Sequence, residues 1–154
     1  LPIGVLTADC VPILIYDDKS SIVGAIHAGW KGAYKGIIKK VINYLIKLGC
    51  RKKNIHVAVG PCISQKNYNV KDDFQQKFIK KDKKNKIFFK SKNKKYFFNL
   101  KQYIILEMKK LGIKKIKLIN KDTFSGVNTY FSARRSLKKK ENDYGRNLSL
   151  IMIN

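Results

Sequence analysis

The sequence holds only two histidines and one tryptophan, and one of each falls in His27-Ala28-Gly29-Trp30. Cys10 lies about one hairpin earlier, in Thr7-Ala8-Asp9-Cys10, directly after a strand-like stretch. A thiolate and an imidazole meeting at one sheet end suit two kinds of chemistry. They are preferred zinc ligands, and they also form a nucleophile–base pair. A buried free cysteine and a hydrogen-bonded histidine would be the unreactive alternative. Asp9 beside Cys10 can orient the imidazole, hold a metal water or move a proton. Cys62 follows a strand in Gly60-Pro61-Cys62-Ile63 and can face the same cleft, or simply sit half-buried in a turn. His56, inside an apolar strand, and Cys50, in a loop, are assigned no role.

The arginines carry a second signal. Of the 34 Lys+Arg residues only Arg51, Arg134, Arg135 and Arg146 are arginine. Where lysine is supplied almost by default, an arginine points to a need for the planar, bidentate guanidinium. Arg134 and Arg135 in Phe131-Ser132-Ala133-Arg134-Arg135, and Arg146 after Gly145, suit a phosphate or carboxylate. The alternative is a structural ion pair, but only 10 Asp+Glu are available as partners.

The elements that must position these groups read as a mixture of strands and helices. Ile3–Leu6, Val11–Tyr16, Ile22–His27, Ile55–Val59, Ile116–Ile119 and Leu148–Ile153 read as strands. After Gly29-Trp30-Lys31-Gly32, the apolar residues Tyr34, Ile37, Ile38, Val41, Ile42, Leu45 and Ile46 recur at helical spacing, with Gly49 as a left-handed cap. Lys71–Lys80 reads as a short helix. Leu100–Leu111 reads as a second strong one, capped by Asn99 and closed by Gly112. Lys80–Lys95 reads as a hairpin or exposed loop. It is expected to be a solvated charged excursion rather than a nucleic-acid patch, although Phe88, Phe89, Tyr96, Phe97 and Phe98 lie nearby, as core or as stacking platforms. An α/β or α+β layered domain follows.

Charge adds less than its size promises. The formal net charge is +24, which by itself raises a nucleic-acid-binding module as a third reading. Yet Lys, Ile and Asn, which share A/T-rich codons, dominate the chain, so the bias reads as codon usage and solvation. With 44% hydrophobic residues the chain is not a disordered polycation. No apolar run is long enough to span a bilayer, and no signal peptide is visible. Three cysteines without a disulfide framework point to a reducing, cytoplasmic setting. The start lacks an initiator Met, so the chain reads as a fragment.

Taken together, Thr7-Ala8-Asp9-Cys10-Val11-Pro12, His27-Ala28-Gly29-Trp30-Lys31-Gly32, Gly60-Pro61-Cys62-Ile63 and Phe131-Ser132-Ala133-Arg134-Arg135 with Gly145-Arg146 resemble the laccase-domain family. That group carries the older name of multicopper polyphenol oxidases and is understood as zinc-dependent purine nucleoside phosphorylases. The motifs occur in family order across nearly the whole chain. The resemblance implies one domain over residues 1–154, lacking its N-terminal portion. Its fold would be an α+β, layered α-β-β-α sandwich with mixed sheets, related to Cys–His deamidase toxins. It implies phosphorolysis of adenosine, inosine, guanosine and methylthioadenosine, with adenosine deamination beside it, in a monomer or homodimer without specific nucleic-acid or membrane partners. Cys10 and His27 match two of three zinc ligands, the third being a His upstream of this chain, and with Asp9 they form the expected catalytic group. Trp30, Lys31, Cys62, Phe131, Arg134, Arg135 and Arg146 match substrate-side positions. Copper is not expected, because a multicopper set needs many imidazoles. A metal-free Cys10–His27 hydrolase or deamidase is the alternative. Four departures stand out: Lys31 for the usual Arg, Ser64-Gln65-Lys66-Asn67 for a Cys-rich run, Asp122-Thr123 for a Cys-Thr, and a Lys-rich Ser136–Tyr144 spacer.

Overall fold

Alternation builds the central strand. Val11, Ile13 and Ile15 of β2 (Val11–Asp17) are apolar at every second position and lie fully buried. The computed structural model describes residues 1–127 and 129–153. In it β2 pairs antiparallel with β3 (Ile22–Ala28) and with β4 (Ile55–Val59), and β4 pairs parallel with β8 (Lys115–Leu118). The resulting four-stranded mixed sheet runs in the order β3-β2-β4-β8. Its inner face shares one core with α2 (Ile37–Lys47) and α4 (Leu100–Lys110), through Ile38, Ile42, Leu45, Ile104, Ile105 and Met108. A two-stranded antiparallel ribbon of β1 (Ile3–Thr7) and β9 (Asn147–Ile151) also packs against β2 and β3. The layers are therefore those of an α+β protein with mixed sheets, as the sequence led us to expect. Among the described residues no helix is long and apolar enough to cross a membrane.

Two helical stretches differ from expectation. The long apolar face after Gly29 is broken by Gly36, whose φ of +78° is left-handed. The Gly29-Trp30-Lys31-Gly32 motif is thus not a turn before a helix but opens α1 (Trp30–Tyr34), and α2 starts after the break. The second is α5 (Ala133–Lys139), a short helix that the Arg134–Arg135 motif gave no sign of. It lacks an apolar stripe and is held at its start by the Ser132 hydroxyl, which accepts from Arg135 N at 3.2 Å.

Within Lys80–Lys95 a hairpin begins only at Phe89 and runs on to Phe98. α3 (Asp72–Lys81) runs into a 3₁₀ turn, and β6 (Phe89–Lys92) returns as β7 (Lys95–Phe98), which also pairs with the short β5 (Asn69–Val70). Phe88, Phe89 and Phe98 are core rather than stacking platforms, whereas Tyr96 and Phe97 are half-buried outside it. Phe88 and Phe98 are buried, and Phe98 lies with its ring centroid 4.7 Å from that of Phe78, which in turn meets Phe74, Tyr34 and Tyr103.

Candidate functional site

Register decides how Cys10 and His27 relate. Val11 pairs with Ala28 and Pro12 with His27, so Pro12 and His27 point to the same face of the sheet. Cys10 lies in the bend just before β2, outside the paired residues, and His27 stands near the end of β3 opposite Pro12, so the two residues come to the same end of the β2–β3 pair. His27 is exposed and Cys10 half-buried. Gly29 packs closely here: a Cβ on it would lie 2.9 Å from Cys10 Sγ, so any other residue would push the sulfur aside. Burial, and then the negative charge of Asp9, push the Cys10 thiol up.

Sulfur and imidazole nitrogen fit zinc by donor chemistry. They fit a multicopper cluster poorly, since the chain has two histidines in all. Among the described residues no group of three or more His, Cys, Asp and Glu stands close enough to hold a metal ion. These residues thus offer a pair of donors, one short of the three protein ligands of a catalytic zinc.

Asp9 is a latch. It is buried with φ of +81°, a left-handed conformation that aspartate tolerates better than most residues. Its Oδ1 accepts from the Thr123 hydroxyl and its Oδ2 from Arg134 N, both at 2.7 Å, while its carbonyl accepts from Ile63 N at 3.0 Å. One carboxylate thereby ties the bend before β2 to the loop at Thr123 and to the first turn of α5. The acid–base role expected for Asp9 has to compete with these two bonds.

Beside Cys10 lies a cavity of about 220 Å³, walled by Cys10, Trp30, Ile63, Tyr68, Leu100 and Arg134. The Trp30 ring is edge-packed on Phe74 at 4.9 Å, and Lys31 lies near it with Nζ 5.7 Å from the ring centroid. Arg134 lies over the Tyr68 ring at 5.3 Å, its Nη1 donating to Asn69 O and Oδ1 at 3.0 Å each. Burial pushes the Tyr68 phenol up, so it stays a protonated hydrogen-bond donor at neutral pH. The place of Tyr68 just beyond the Gly60-Pro61-Cys62-Ile63 run is the one signal that could have found it.

Three expected substrate-side residues have other surroundings. Cys62 is 1% exposed within the hydrophobic core, and burial pushes its thiol up to about 12. The bridge from Cys62 to Asp122 fixes this stretch of backbone, and the expected cleft-facing thiol is corrected to a core residue. Phe131 is 53% exposed and lies against Gly145, where any Cβ would strike its ring. Arg146 is engaged with Asp143, with the Tyr144 carbonyl and with the Tyr144 ring. Neither Phe131 nor Arg146 lines the Cys10 cavity.

The guanidinium of Arg135 is directed at backbone. Nη1 donates to Thr123 O at 2.8 Å and Phe124 O at 2.9 Å, and Nη2 to Tyr130 O. The expected anion contact is replaced by a clamp on the loop that carries Thr123, which is Asp9's partner. Arg135→Lys keeps the charge but cannot span three carbonyls. We expect it to cost about 1–3 kcal/mol, seen as a fall of several degrees in Tm, with phosphate and nucleoside KM changing together.

Two of the sequence departures turn out to be one structural unit. Asp122 accepts from Ser64 N at 3.0 Å, Ser64 Oγ at 2.9 Å, Asn67 Nδ2 at 2.6 Å, Ser125 Oγ at 2.8 Å and Phe124 N at 3.2 Å. Burial alone would raise this carboxyl, but the hydrogen bonds from Ser64, Ser125 and Asn67 outweigh it and hold it below the ordinary carboxylate range. A folded-state pKa below the unfolded one gives stability that is present above about pH 4 and is lost as pH falls through the folded value. Asp122→Asn is therefore expected to melt several degrees lower at pH 7. The gap from the parent should narrow below about pH 4; a gap independent of pH would refute the argument.

Comparison with known proteins agrees with this architecture. A family described as multi-copper polyphenol oxidoreductase laccase matches residues 1–154. A Rickettsia conorii protein named purine nucleoside phosphorylase is 38% identical over 150 residues, covering 96% of this chain and 61% of its own length. A protein named adenosine deaminase RL5, from an unknown prokaryotic organism, is 41% identical over 78 residues, covering 51% of this chain and 30% of its own. The crystal structure of the Bacillus licheniformis hypothetical protein YfiH superimposes with a TM-score of 0.89 at 30% identity, covering 100% of this chain and 58% of that one. The chain thus spans about three-fifths of the length of the Rickettsia relative.

Proposed function

The chain belongs to the multi-copper polyphenol oxidoreductase laccase family, and from that membership we propose that it forms part of a purine nucleoside phosphorylase with adenosine deaminase activity. The substrates are adenosine, inosine, guanosine or methylthioadenosine with phosphate, and the phosphorolysis products are the free base and a ribose 1-phosphate. The observation that carries this reading is the cavity beside Cys10, where a planar indole, a protonated phenol and a guanidinium surround the sulfur.

In phosphorolysis a phosphate oxygen bonds to C1′ while the bond from C1′ to the base nitrogen breaks, and the departing base takes its electron pair and a proton. Trp30 presents a flat apolar surface against which a purine can stack. Tyr68 can donate a hydrogen bond to the leaving base, and Arg134 can draw an anion to the same wall. Asp9 acts through position, by fixing Cys10 and Arg134. Cys10 and His27 would hold a zinc ion, completed by an imidazole from sequence preceding this chain. Held there, zinc would supply the Lewis acidity that deamination at C6 of adenine calls for. The metal-free Cys–His alternative is separated from the zinc reading by metal analysis and by sensitivity to chelation or to thiol alkylation. A cytoplasmic setting, in which the three free cysteines would stay reduced, belongs to the same proposal.

The deciding assay incubates full-length, metal-analysed protein with each nucleoside, with and without phosphate, and resolves the products chromatographically. Adenine formed only when phosphate is present supports phosphorolysis, and inosine formed without phosphate reports deamination. No phosphate-dependent base from any of the four nucleosides would sink the reading.

A further inference from the structure

Phosphorolysis needs a cradle for the oxyanion, and the arginines near Cys10 supply it only in part. Arg135 spends both its terminal nitrogens on carbonyls, and Arg134 spends Nη1 on Asn69. The Cys10 cavity shares Trp30, Tyr68 and Arg134 with a larger hollow of about 780 Å³ between α3 and the β6–β7 hairpin. Lys71, Lys77, Lys94 and Lys95 line that hollow. We infer that the hollow is the phosphate subsite of the proposed phosphorylase site, with Lys94 and Lys95 at the hairpin tip holding the oxyanion; this rests on the reading given above.

The tip fixes the backbone that carries these lysines. Asn93 and Lys94 have φ of +50° and +57°, the pattern of a tight two-residue turn between paired strands. β7 also pairs with β5, where Asn69 stands opposite Phe97. Since Asn69 grips the Arg134 guanidinium, the hairpin and Arg134 are parts of one hydrogen-bonded assembly. Lys77 is drawn to the aromatic side, with Nζ 5.6 Å from the Trp30 centroid and 5.1 Å from that of Tyr34. Asp72 and Asp73 line the hollow at the start of α3 and repel an anion there. The oxyanion is thereby left on the hairpin side. The Lys-rich excursion that composition presents as solvated surface acquires a ligand in this way.

The phosphate group has two sources, free inorganic phosphate as co-substrate or a phosphate carried on the nucleoside. Full-length protein is titrated calorimetrically with inorganic phosphate and, separately, with adenosine 5′-monophosphate. The same titrations are run on Lys94→Gln/Lys95→Gln and on a charge-matched control, Lys52→Gln/Lys53→Gln, whose lysines do not line the hollow. The hairpin variant is expected to bind at least about fivefold more weakly, and the control within about twofold. Weakening for inorganic phosphate alone identifies the co-substrate, and weakening for the monophosphate alone identifies a phosphorylated substrate. Equal loss in both variants, unchanged binding in the hairpin variant, or no binding by the parent overturns the inference. Because the readout is binding, a protein that binds phosphate at the hairpin without turning over any nucleoside would refute the phosphorylase reading and leave the subsite standing.

Discussion

Cys10→Ala and His27→Ala, each made in the full-length protein, are expected to lower both phosphorolysis and deamination by more than about 100-fold. Loss of residues that merely support metal ligands costs 10–100-fold, so loss of a ligand should exceed that range. Stability should change little, because His27 is exposed and Cys10 only half-buried. The measurements are steady-state rates, zinc per chain by elemental analysis, and thermal melting. Zinc content should fall together with activity while Tm stays within a few degrees. Turnover above a tenth of the parent in either variant would remove Cys10 and His27 from the site. A metal-free parent that survives chelation yet is killed by thiol alkylation would return the protein to the Cys–His hydrolase class.

Asp9 separates position from chemistry. Asp9→Ala leaves the Thr123 hydroxyl and Arg134 N without their acceptor and puts a non-glycine residue lacking a polar side chain at φ of +81°. Unsatisfied partners and left-handed strain together are expected to cost about 2–5 kcal/mol. At this chain length that lowers Tm by roughly 5–15 °C. Asp9→Asn should behave differently. The amide oxygen can accept from Arg134 N while the amide nitrogen donates to the Thr123 hydroxyl, which can reverse its role from donor to acceptor. We expect the Asp9→Asn protein to melt within about 3 °C of the parent and to keep turnover within about threefold, with calorimetry and initial rates as the checks. A stable Asp9→Asn protein that has lost its activity would instead make Asp9 the acid–base group.

Particular residues show how far the sequence can be read. β2 is legible because Val11, Ile13 and Ile15 alternate, and α4 because Asn99 caps it, its Oδ1 accepting from Gln102 N, and Gly112 closes it at φ of +85°. These are local signals, set within a few residues by backbone sterics and periodicity. The break at Gly36 is hidden because the apolar periodicity runs straight across it, and only the backbone conformation reveals it. α5 escapes notice because it is held by Ser132 and by loop contacts rather than by an apolar stripe. In the site, the motifs name Cys10, Trp30 and Arg134, which line one cavity, and His27, which lies at the same end of the β2–β3 pair without lining it. They cannot tell Arg134 from Arg135. Adjacent residues on a helix point in directions about 100° apart, and here one faces the cavity wall while the other faces three carbonyls.

What the sequence determined by itself is the strongly periodic strands and helices, the family and the rare side chains that could do chemistry, because each is written in local spacing. Tertiary structure alone decided the partners. Asp9 meets Thr123 and Arg134 across more than a hundred residues of chain, Asp122 gathers Ser64 and Asn67, and Lys94 and Lys95 reach the hollow that opens beside the Cys10 cavity. Such contacts arise from strand register and loop closure, which no local pattern encodes, so a buried thiol like Cys62 and a cleft thiol like Cys10 look alike until the chain has folded.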